Sequence, residues 1–328
     1  MHIYSELLEL FLAYLKNENL VQAPENLYEP YDYIMHLGGK RMRPILCLMG
    51  YELFSDESVK ESTLPYNLAM AVEVFHNFSL VHDDVMDEAP LRRGKETVHQ
   101  KYNINTAILS GDLMLVKAYD YLAQTSDKYL PKALRVFNKT AAEVCDGQQY
   151  DMDFEERSDV SIAEYLTMIE LKTSVLVGAS LQLGAIAAGA SEIDAQNLYD
   201  FGKNIGISFQ LQDDVLDTFG NAEKFGKKVG GDIIQNKKTF LILKAYENGN
   251  PDQVAALSEL MSSKPSDEGQ KIEAVKSLLE QLNIRQDTEL LMAQYYDKAF
   301  AALGNIDLDD ERKKPLVAIV KKLMFREQ

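Results

Sequence analysis

Six aspartates carry the most specific chemistry in this sequence. They fall in two nearly identical phrases, LVHDDVMD at 80–87 and QLQDDVLD at 210–217. These place Asp83, Asp84 and Asp87 in one cluster and Asp213, Asp214 and Asp217 in the other. In each, the carboxylates stand at i, i+1 and i+4. On a helix the first and last share a face with Cβ atoms ~5–6 Å apart, where like charges cost an isolated helix about 0.2–0.5 kcal/mol per pair. A divalent cation held between them reverses the sign. The first cluster ends an apolar run, residues 66–82, whose one formal charge is Glu73, and it is followed by Glu88-Ala89-Pro90. It therefore lies at the C-terminal end of a buried helix, where negative charge opposes the helix dipole. A single cluster of this kind is common as a solvated acidic helix end. Two, each behind an apolar run, point to two walls of one site. All-oxygen ligands in a chain with five histidines suit magnesium better than zinc or copper.

Cations recur beside these clusters. GGKRMRP at 38–44 sets Lys40, Arg41 and Arg43 ahead of an apolar helix whose first turn holds Pro44. Together with the free N–H groups of that turn, they make an anion trap. Arg92 and Arg93 follow the first cluster after one short turn. Lys172 and Thr173 stand at the charged edge of a long uncharged run. After the second cluster come Lys227, Lys228, Gly230, Gly231, Asp232 and then Lys237-Lys238-Thr239, a glycine-rich loop carrying lysines. Taken singly, each basic pair reads as a solvated face. Repeated beside aspartates, they suit a diphosphate gripped by carboxylate-bound metal and by cations.

The elements that must position these residues are helices. Apolar residues recur at helical spacing nearly everywhere, as in the stripes Leu7, Leu8, Phe11, Leu12, Leu15 and Ile162, Tyr165, Leu166, Ile169, and no stretch alternates with period two. Breakers at Pro24, Gly38-Gly39, Pro65, Pro90, the glycines of 220–231, NGNPD at 248–252 and SKPSDEG at 263–269 separate them. No linker is long enough to divide the chain. The expectation is all-α, one domain over residues 1–328 with roughly ten to thirteen helices. Residues 173–191 run without a charge for about the length of a membrane span. The run is rich in Gly, Ala and Ser and contains Gln182, so a buried central helix is expected and no membrane span. The N-terminus carries Glu6 and Glu9 and no basic segment, which reads as an amphipathic helix and not as a signal peptide. A formal charge of −17 over 328 residues excludes a nucleic-acid binder, which needs a basic face. Two distant cysteines, Cys47 and Cys145, read as buried apolar residues in a reducing, cytoplasmic compartment.

In order along the chain, GGKRMRP, HNFSLVHDDVMDEAPLRRG, LSGDLM (109–114), GQQYDM (147–152), LKTSVL (171–176), FQLQDDVLD and KKVGGDIIQNKKT cover residues 38–239. Together they resemble the trans-isoprenyl diphosphate synthase, or polyprenyl synthetase, family. The resemblance implies a helical bundle around a deep central cavity, with the aspartate motifs facing each other across its mouth, in a homodimer. It implies about three Mg²⁺ ions held by Asp83, Asp84, Asp87, Asp213, Asp214 and Asp217. Gly39, Lys40, Arg43, His76 and Arg93 would bind isopentenyl diphosphate. Arg92, Lys172, Thr173, Gln210, Lys227 and Lys237 would complete the allylic diphosphate site, with Lys172, Thr173, Gln210 and Lys227 as its catalytic members. One departure is Asn236-Lys237 where the family commonly has Gly-Lys, which puts the local loop shape in question.

Ionising the allylic C–O bond separates a cation from a diphosphate anion, so electrostatic stabilisation of the leaving group is the main demand. The starter would be dimethylallyl, geranyl or farnesyl diphosphate. The tail would run down the helix before Asp83. There Phe78 lies roughly 7–8 Å along the axis at ~1.5 Å per residue, beside Phe75 and the small Ser79. That pattern most resembles enzymes making the twenty-carbon geranylgeranyl product, with the fifteen-carbon farnesyl product close behind. Both phenylalanines are ordinary core aromatics on the plainer view. Three rivals remain. A terpene cyclase shares the first motif but lacks a second DDxxD and a second basic site. A phosphohydrolase could use His82-Asp83 but needs further metal-binding histidines. A non-catalytic partner subunit typically loses one aspartate cluster, and this chain keeps both.

Overall fold

Helical spacing of apolar residues becomes helix almost throughout. The computed structural model describes residues 2–220, 229–262 and 267–324. Among these are fifteen continuous helices, thirteen of them nine residues or longer. The other two, Val98–Lys101 and Gly231–Ile234, are single turns. The only strands among the described residues are Leu91–Arg92 and Lys95–Glu96, an antiparallel hairpin too short to show any alternation. Local chemistry sets the ends. Pro65 sits in the first turn of Leu64–Met86, where its missing N–H is no loss. Ser161 and Glu164 close a capping box at the start of Ile162–Ile169. The N-terminal stripe is narrower than the sequence implies: Leu7, Phe11 and Leu15 are buried, but Leu12 is exposed. Cys47 is buried as expected, whereas Cys145 faces outward.

The chain divides into two compact units. The first comprises Met1–Lys139, Leu176–Tyr199 and Asn305–Val317, the second Thr140–Val175, Asp200–Gly304 and Ala318–Gln328. In the first, the helix Leu64–Met86 is buried from Pro65 through Phe75 among helices that include Met42–Phe54 and Ile104–Ala123. The uncharged run belongs to a continuous helix, Ile162–Ala187. It is long and apolar enough to cross a membrane by length and composition, but 72% of its most apolar stretch is buried within the protein. Its small residues explain this. A side chain on Gly184 would overlap the Cys47 carbonyl, and one on Gly50 would overlap the Leu181 carbonyl. Two helices therefore meet backbone to backbone inside the first unit.

In the second unit, the end of the helix Glu192–Phe219 is fixed by two apolar clusters. Leu211 packs with Tyr165, Ile169, Ile207 and Phe240, and Val215 with Ile233, Leu241, Val275 and Leu279. The second aspartate pair lies between those two anchors. The helix from Ile162 is interrupted at Glu170–Ser174 by a single π turn, where the Ser174 hydroxyl donates to the Ile169 carbonyl at 3.1 Å. Such insertions frequently mark functional positions.

The glycine contact gives a direct stability test. Gly50→Ala and Gly184→Ala should each destabilise the protein by about 1–3 kcal/mol through overpacking against backbone. Combined, they should cost less than their sum, because one separation of the helices relieves both. Denaturant titration followed by circular dichroism reads this. Unchanged midpoints would mean that the two helices do not meet at these glycines.

Candidate active site

In the first unit, Asp83 and Asp84 occupy the last turn of Leu64–Met86, and Asp87 caps it, donating its N–H to the Asp83 carbonyl at 2.8 Å. Helical geometry turns Asp84 away from the other two: Asp84 is 1% exposed, Asp83 is half-buried and Asp87 is exposed. Burial raises the Asp84 carboxyl above its usual range, and the Arg92 guanidinium works against that. Arg92 grips Asp84 with two contacts of 2.7 Å, one from Nε and one from Nη2, and Nη2 lies 3.3 Å from Asp83. This two-pronged, charge-assisted geometry is the strong form of the interaction.

Arg92 and Arg93 are presented by the hairpin. Arg93 (φ 55) and Gly94 (φ 73) form its two-residue turn, both left-handed as such a turn requires. An arginine in that conformation is uncommon. The turn carries Arg93 to the Gly38 carbonyl, to which its guanidinium donates. Gly39 is required at this contact. Its φ of +117 suits no other residue, and a Cβ there would fall 2.7 Å from the guanidinium carbon of Arg93.

The cations of GGKRMRP part company. Arg41 is buried, pairs with Glu73 at 2.5 Å and donates to the Met35 carbonyl, so it ties helices together and is not part of an anion trap. Lys40 is exposed. Arg43 points its Nη1 at His76 Nε2, 3.2 Å away. Since Arg43 can only donate, Nε2 is the acceptor and His76 is neutral. Burial, then Arg43 and the neighbouring arginines, push the His76 pKa well down, and burial lowers Arg43 to about 10, which leaves it cationic. In an acidic chain, Arg43, Arg92 and Arg93 make a local positive field.

Phe75 is buried against Phe137 at 5.3 Å and Phe78 at 5.6 Å. Phe78 is half-buried with its ring 4.8 Å from His82, and the Ser79 hydroxyl donates to the His76 carbonyl. Gly111, from LSGDLM, lies on the His82 ring, where any side chain would overlap it, and His82 Nε2 is 3.1 Å from the Ile108 carbonyl. That histidine is a packing residue beside the cluster.

In the second unit, Lys172 and Thr173 lie in the π turn. Gly147, from GQQYDM, lets the helix Leu130–Glu156 touch the backbone of Lys172, and Asp151 of the same motif pairs with Lys172 Nζ at 2.6 Å. Asp214 is 3% exposed, while Asp213 is exposed and Asp217 half-buried, so again the middle aspartate turns inward. Its partners here are uncharged: the Tyr165 hydroxyl donates to one oxygen and Gln210 Nε2 to the other at 3.2 Å. Burial, with Asp232 and Asp213 nearby, pushes Asp214 up to about 8.

Asp217 anchors the turn that starts at Gly230. Its carbonyl accepts from the Gly230 N–H at 2.6 Å and its carboxylate from the Asp232 N–H at 3.0 Å. Asp232 is pushed up to about 6 by burial and Asp217, with Lys237 acting against them. Lys238 instead caps the carbonyls of Phe154 and Glu155 at a helix C-terminus. Asn236 takes φ +57, the left-handed conformation that glycine adopts readily, so the departure from Gly-Lys is compatible with such a turn. Lys227 lies outside the described residues.

Among the described residues, no three of His, Cys, Asp and Glu converge closely enough to hold a metal by themselves. The donors on offer are carboxylates, and Mg²⁺ usually takes only one or two, filling its shell with water and phosphate oxygens. A buried carboxyl pushed toward neutrality by burial and neighbouring aspartates, against its two hydrogen-bond donors, fits a cation arriving beside it, which would restore its charge. Two surface cavities of about 520 and 500 Å³, around Tyr33 and around Lys132, contain none of these residues. Three residues join the second cluster that motif reading left without roles. Asp232 and Asp151 stood inside quoted motifs, whereas Tyr165 looked like one more apolar-stripe residue and carried no signal.

Comparison with known proteins shows the family. The family model described as polyprenyl synthetase matches residues 24–278. A geranylgeranyl diphosphate synthase of Methanosarcina mazei is 42% identical over 231 residues, 70% of each chain. A geranylfarnesyl diphosphate synthase of Natronomonas pharaonis is 38% identical over 274 residues, covering 79% of this chain and 78% of that one. A crystal structure of a geranylgeranyl pyrophosphate synthase superposes with a TM-score of 0.94 at 46% identity over the whole of both chains. With its helices, its paired aspartate motifs and these relatives, the chain belongs to the polyprenyl synthetase family.

Proposed function

We propose that this chain condenses isopentenyl diphosphate with an allylic diphosphate, giving a short all-trans prenyl diphosphate, geranylgeranyl favoured and farnesyl second. The observation that carries it is the second cluster. There a buried carboxyl at about 8 stands near Asp213 and Asp232, Lys237 acts on Asp232 and Lys172 pairs with Asp151, a set that calls for divalent cations and an anionic ligand together. Residues 1–328 act as one catalytic domain.

The roles are those that the family resemblance implies. Lys172, Thr173, Gln210, Lys227, Lys237 and Arg92 hold the allylic diphosphate, while Gly39, Lys40, Arg43, His76 and Arg93 hold isopentenyl diphosphate. Asp83, Asp84, Asp87, Asp213, Asp214 and Asp217 hold about three Mg²⁺. When bound, those ions supply the charge stabilisation that lets diphosphate leave. Lys172 and Lys237 add fixed positive charge at the same leaving group. The allylic C–O bond breaks with its electron pair going to diphosphate. The π-bond of isopentenyl diphosphate forms the new C–C bond, and the proton then lost goes to the departing diphosphate. Gln210 and Tyr165 keep Asp214 oriented throughout. No protein nucleophile is needed. Phe75 and Phe78 keep the tail in apolar surroundings, where water does not quench the cation.

A homodimer is supported by Ile104, Ile108, Leu109 and Val116, all exposed on the helix Ile104–Ala123; a monomer in sedimentation velocity would contradict it. Cys47 and Cys145 are both free thiols, which fits a reducing cytoplasm.

The test is turnover with Mg²⁺, isopentenyl diphosphate and dimethylallyl, geranyl or farnesyl diphosphate, followed by chromatography of the dephosphorylated products. Asp83→Ala and Asp213→Ala should each reduce turnover by roughly 10²–10³ with the fold retained. Near-parental turnover in both would refute the assigned roles. In the same assay, Phe78→Ala should shift the products to longer chains; an unchanged distribution removes Phe78 as a determinant of length.

A further inference from the structure

The segment from Gly230 to Lys237 carries Asp232 and Lys237 to the second aspartate cluster, yet its one helical turn, Gly231–Ile234, is too short to hold itself. It is fixed from below by the helix Glu268–Gln281. At its start, Gly230 has φ +85 and lies directly on Ile272, whose side-chain carbons would stand 2.6 Å from a Cβ. In its middle, Ile233 is buried with Val275, Leu278 and Leu279. At its end, Asn236 is left-handed, and its Oδ1 accepts from Lys271 Nζ at 2.6 Å.

The last contact is unusual. Lys271 is 3% exposed, on a helix whose neighbouring positions 268–270 are exposed. Lysine is rarely buried so fully without a dedicated partner. The residue following Asn236 is Lys237, whose N–H donates to the Asp232 carbonyl at 2.9 Å, and the Asp232 N–H in turn donates to the Asp217 carboxylate. A chain of hydrogen bonds therefore runs from Lys271 through the 236 turn to the second cluster. A glycine at 236 would reach the left-handed region unaided. Asparagine reaches it less readily and has a side chain that can be held.

We propose that Lys271 is a positioning residue: by holding Asn236 left-handed, it sets where Lys237 and Asp232 stand beside Asp217. The proposal rests on the function assigned above, in which Lys237 binds the allylic diphosphate. Lys271 touches no substrate. Its effect is carried by the backbone of 236–237 and falls on the allylic substrate, with isopentenyl diphosphate little affected.

Steady-state kinetics of the full chain with Mg²⁺, geranyl diphosphate and isopentenyl diphosphate, together with thermal melts, test this. Lys271→Met should lower kcat/KM for geranyl diphosphate by about tenfold or more, as loss of an outer supporting contact does. KM for isopentenyl diphosphate should stay within about twofold, since that effect is confined to one substrate. Adding Asn236→Gly to Lys271→Met should recover most of the loss, because glycine no longer needs to be held. A general packing defect would not be rescued in this way. Lys271→Met with parental kinetics, or a double variant no better than Lys271→Met, overturns the proposal. Should Lys271→Met fail to fold, Asn236→Ala against Asn236→Gly decides: alanine should be the more impaired, and equal kinetics overturn the proposal. An inactive parent chain removes the assigned function and this proposal with it. An active parent with an unaffected Lys271→Met removes this proposal alone.

Discussion

A carboxylate taken out of water must be given a counter-charge, a set of donors, or a proton. Two such groups stand out, Asp84 in the first unit and Asp214 in the second, each the middle member of a DDxxD phrase and each turned into its own unit. Identical local geometry is answered differently. Asp84 receives the fork of Arg92. Among the described residues, Asp214 receives the neutral donors of Tyr165 and Gln210, with other aspartates close by. The first answer works against the rise that burial imposes and anchors the hairpin. The second leaves a site that gains by accepting cations. An acidic chain otherwise repels a diphosphate, so under the proposed function metal, lysine and diphosphate would stabilise one another beside Asp214.

Much of the remaining architecture supplies close approach. Glycines at 50, 111, 147 and 184 let backbones or rings meet where any side chain would intrude. Left-handed residues at 39, 41, 93 and 236 aim or anchor the loops that carry the charged groups. Strained backbone of this kind persists where its surroundings over-determine it. Arg93 is held by the Gly38 carbonyl, Arg41 by Glu73, and Asn236 by Lys271. The chain supplies positions and charges, and no side chain has to form a covalent bond with substrate.

How much of this was legible from residues alone depended on range. The helices were, because burial writes itself every three or four residues. The aspartate phrases and the glycine-rich loop were, because their residue types have few structural reasons to cluster. Roles decided at long range were not. Lys40, Arg41 and Arg43 look equivalent in sequence, and only Glu73, in another helix, takes Arg41 into the interior. Tyr165 belongs to an apolar stripe by spacing, and its hydroxyl matters only because Asp214 lies opposite. The hairpin has two residues per strand, too few for any periodicity. The π turn adds one residue to a helix without changing its composition. Cys145 was expected inside by type and lies outside.

The central claim is that burial and neighbouring aspartates hold Asp214 largely protonated, so that binding of cations beside it releases a proton. Calorimetric titration of the metal-free protein with Mg²⁺ and pyrophosphate at pH 7, in buffers of different ionisation enthalpy, counts the protons released on binding. With Asp214 at about 8, most of that group is protonated beforehand, so the parent chain should release close to one more proton than Asp214→Asn. Equal release by the two proteins would mean that Asp214 is already ionised without metal, and the electrostatic account of this site would be wrong.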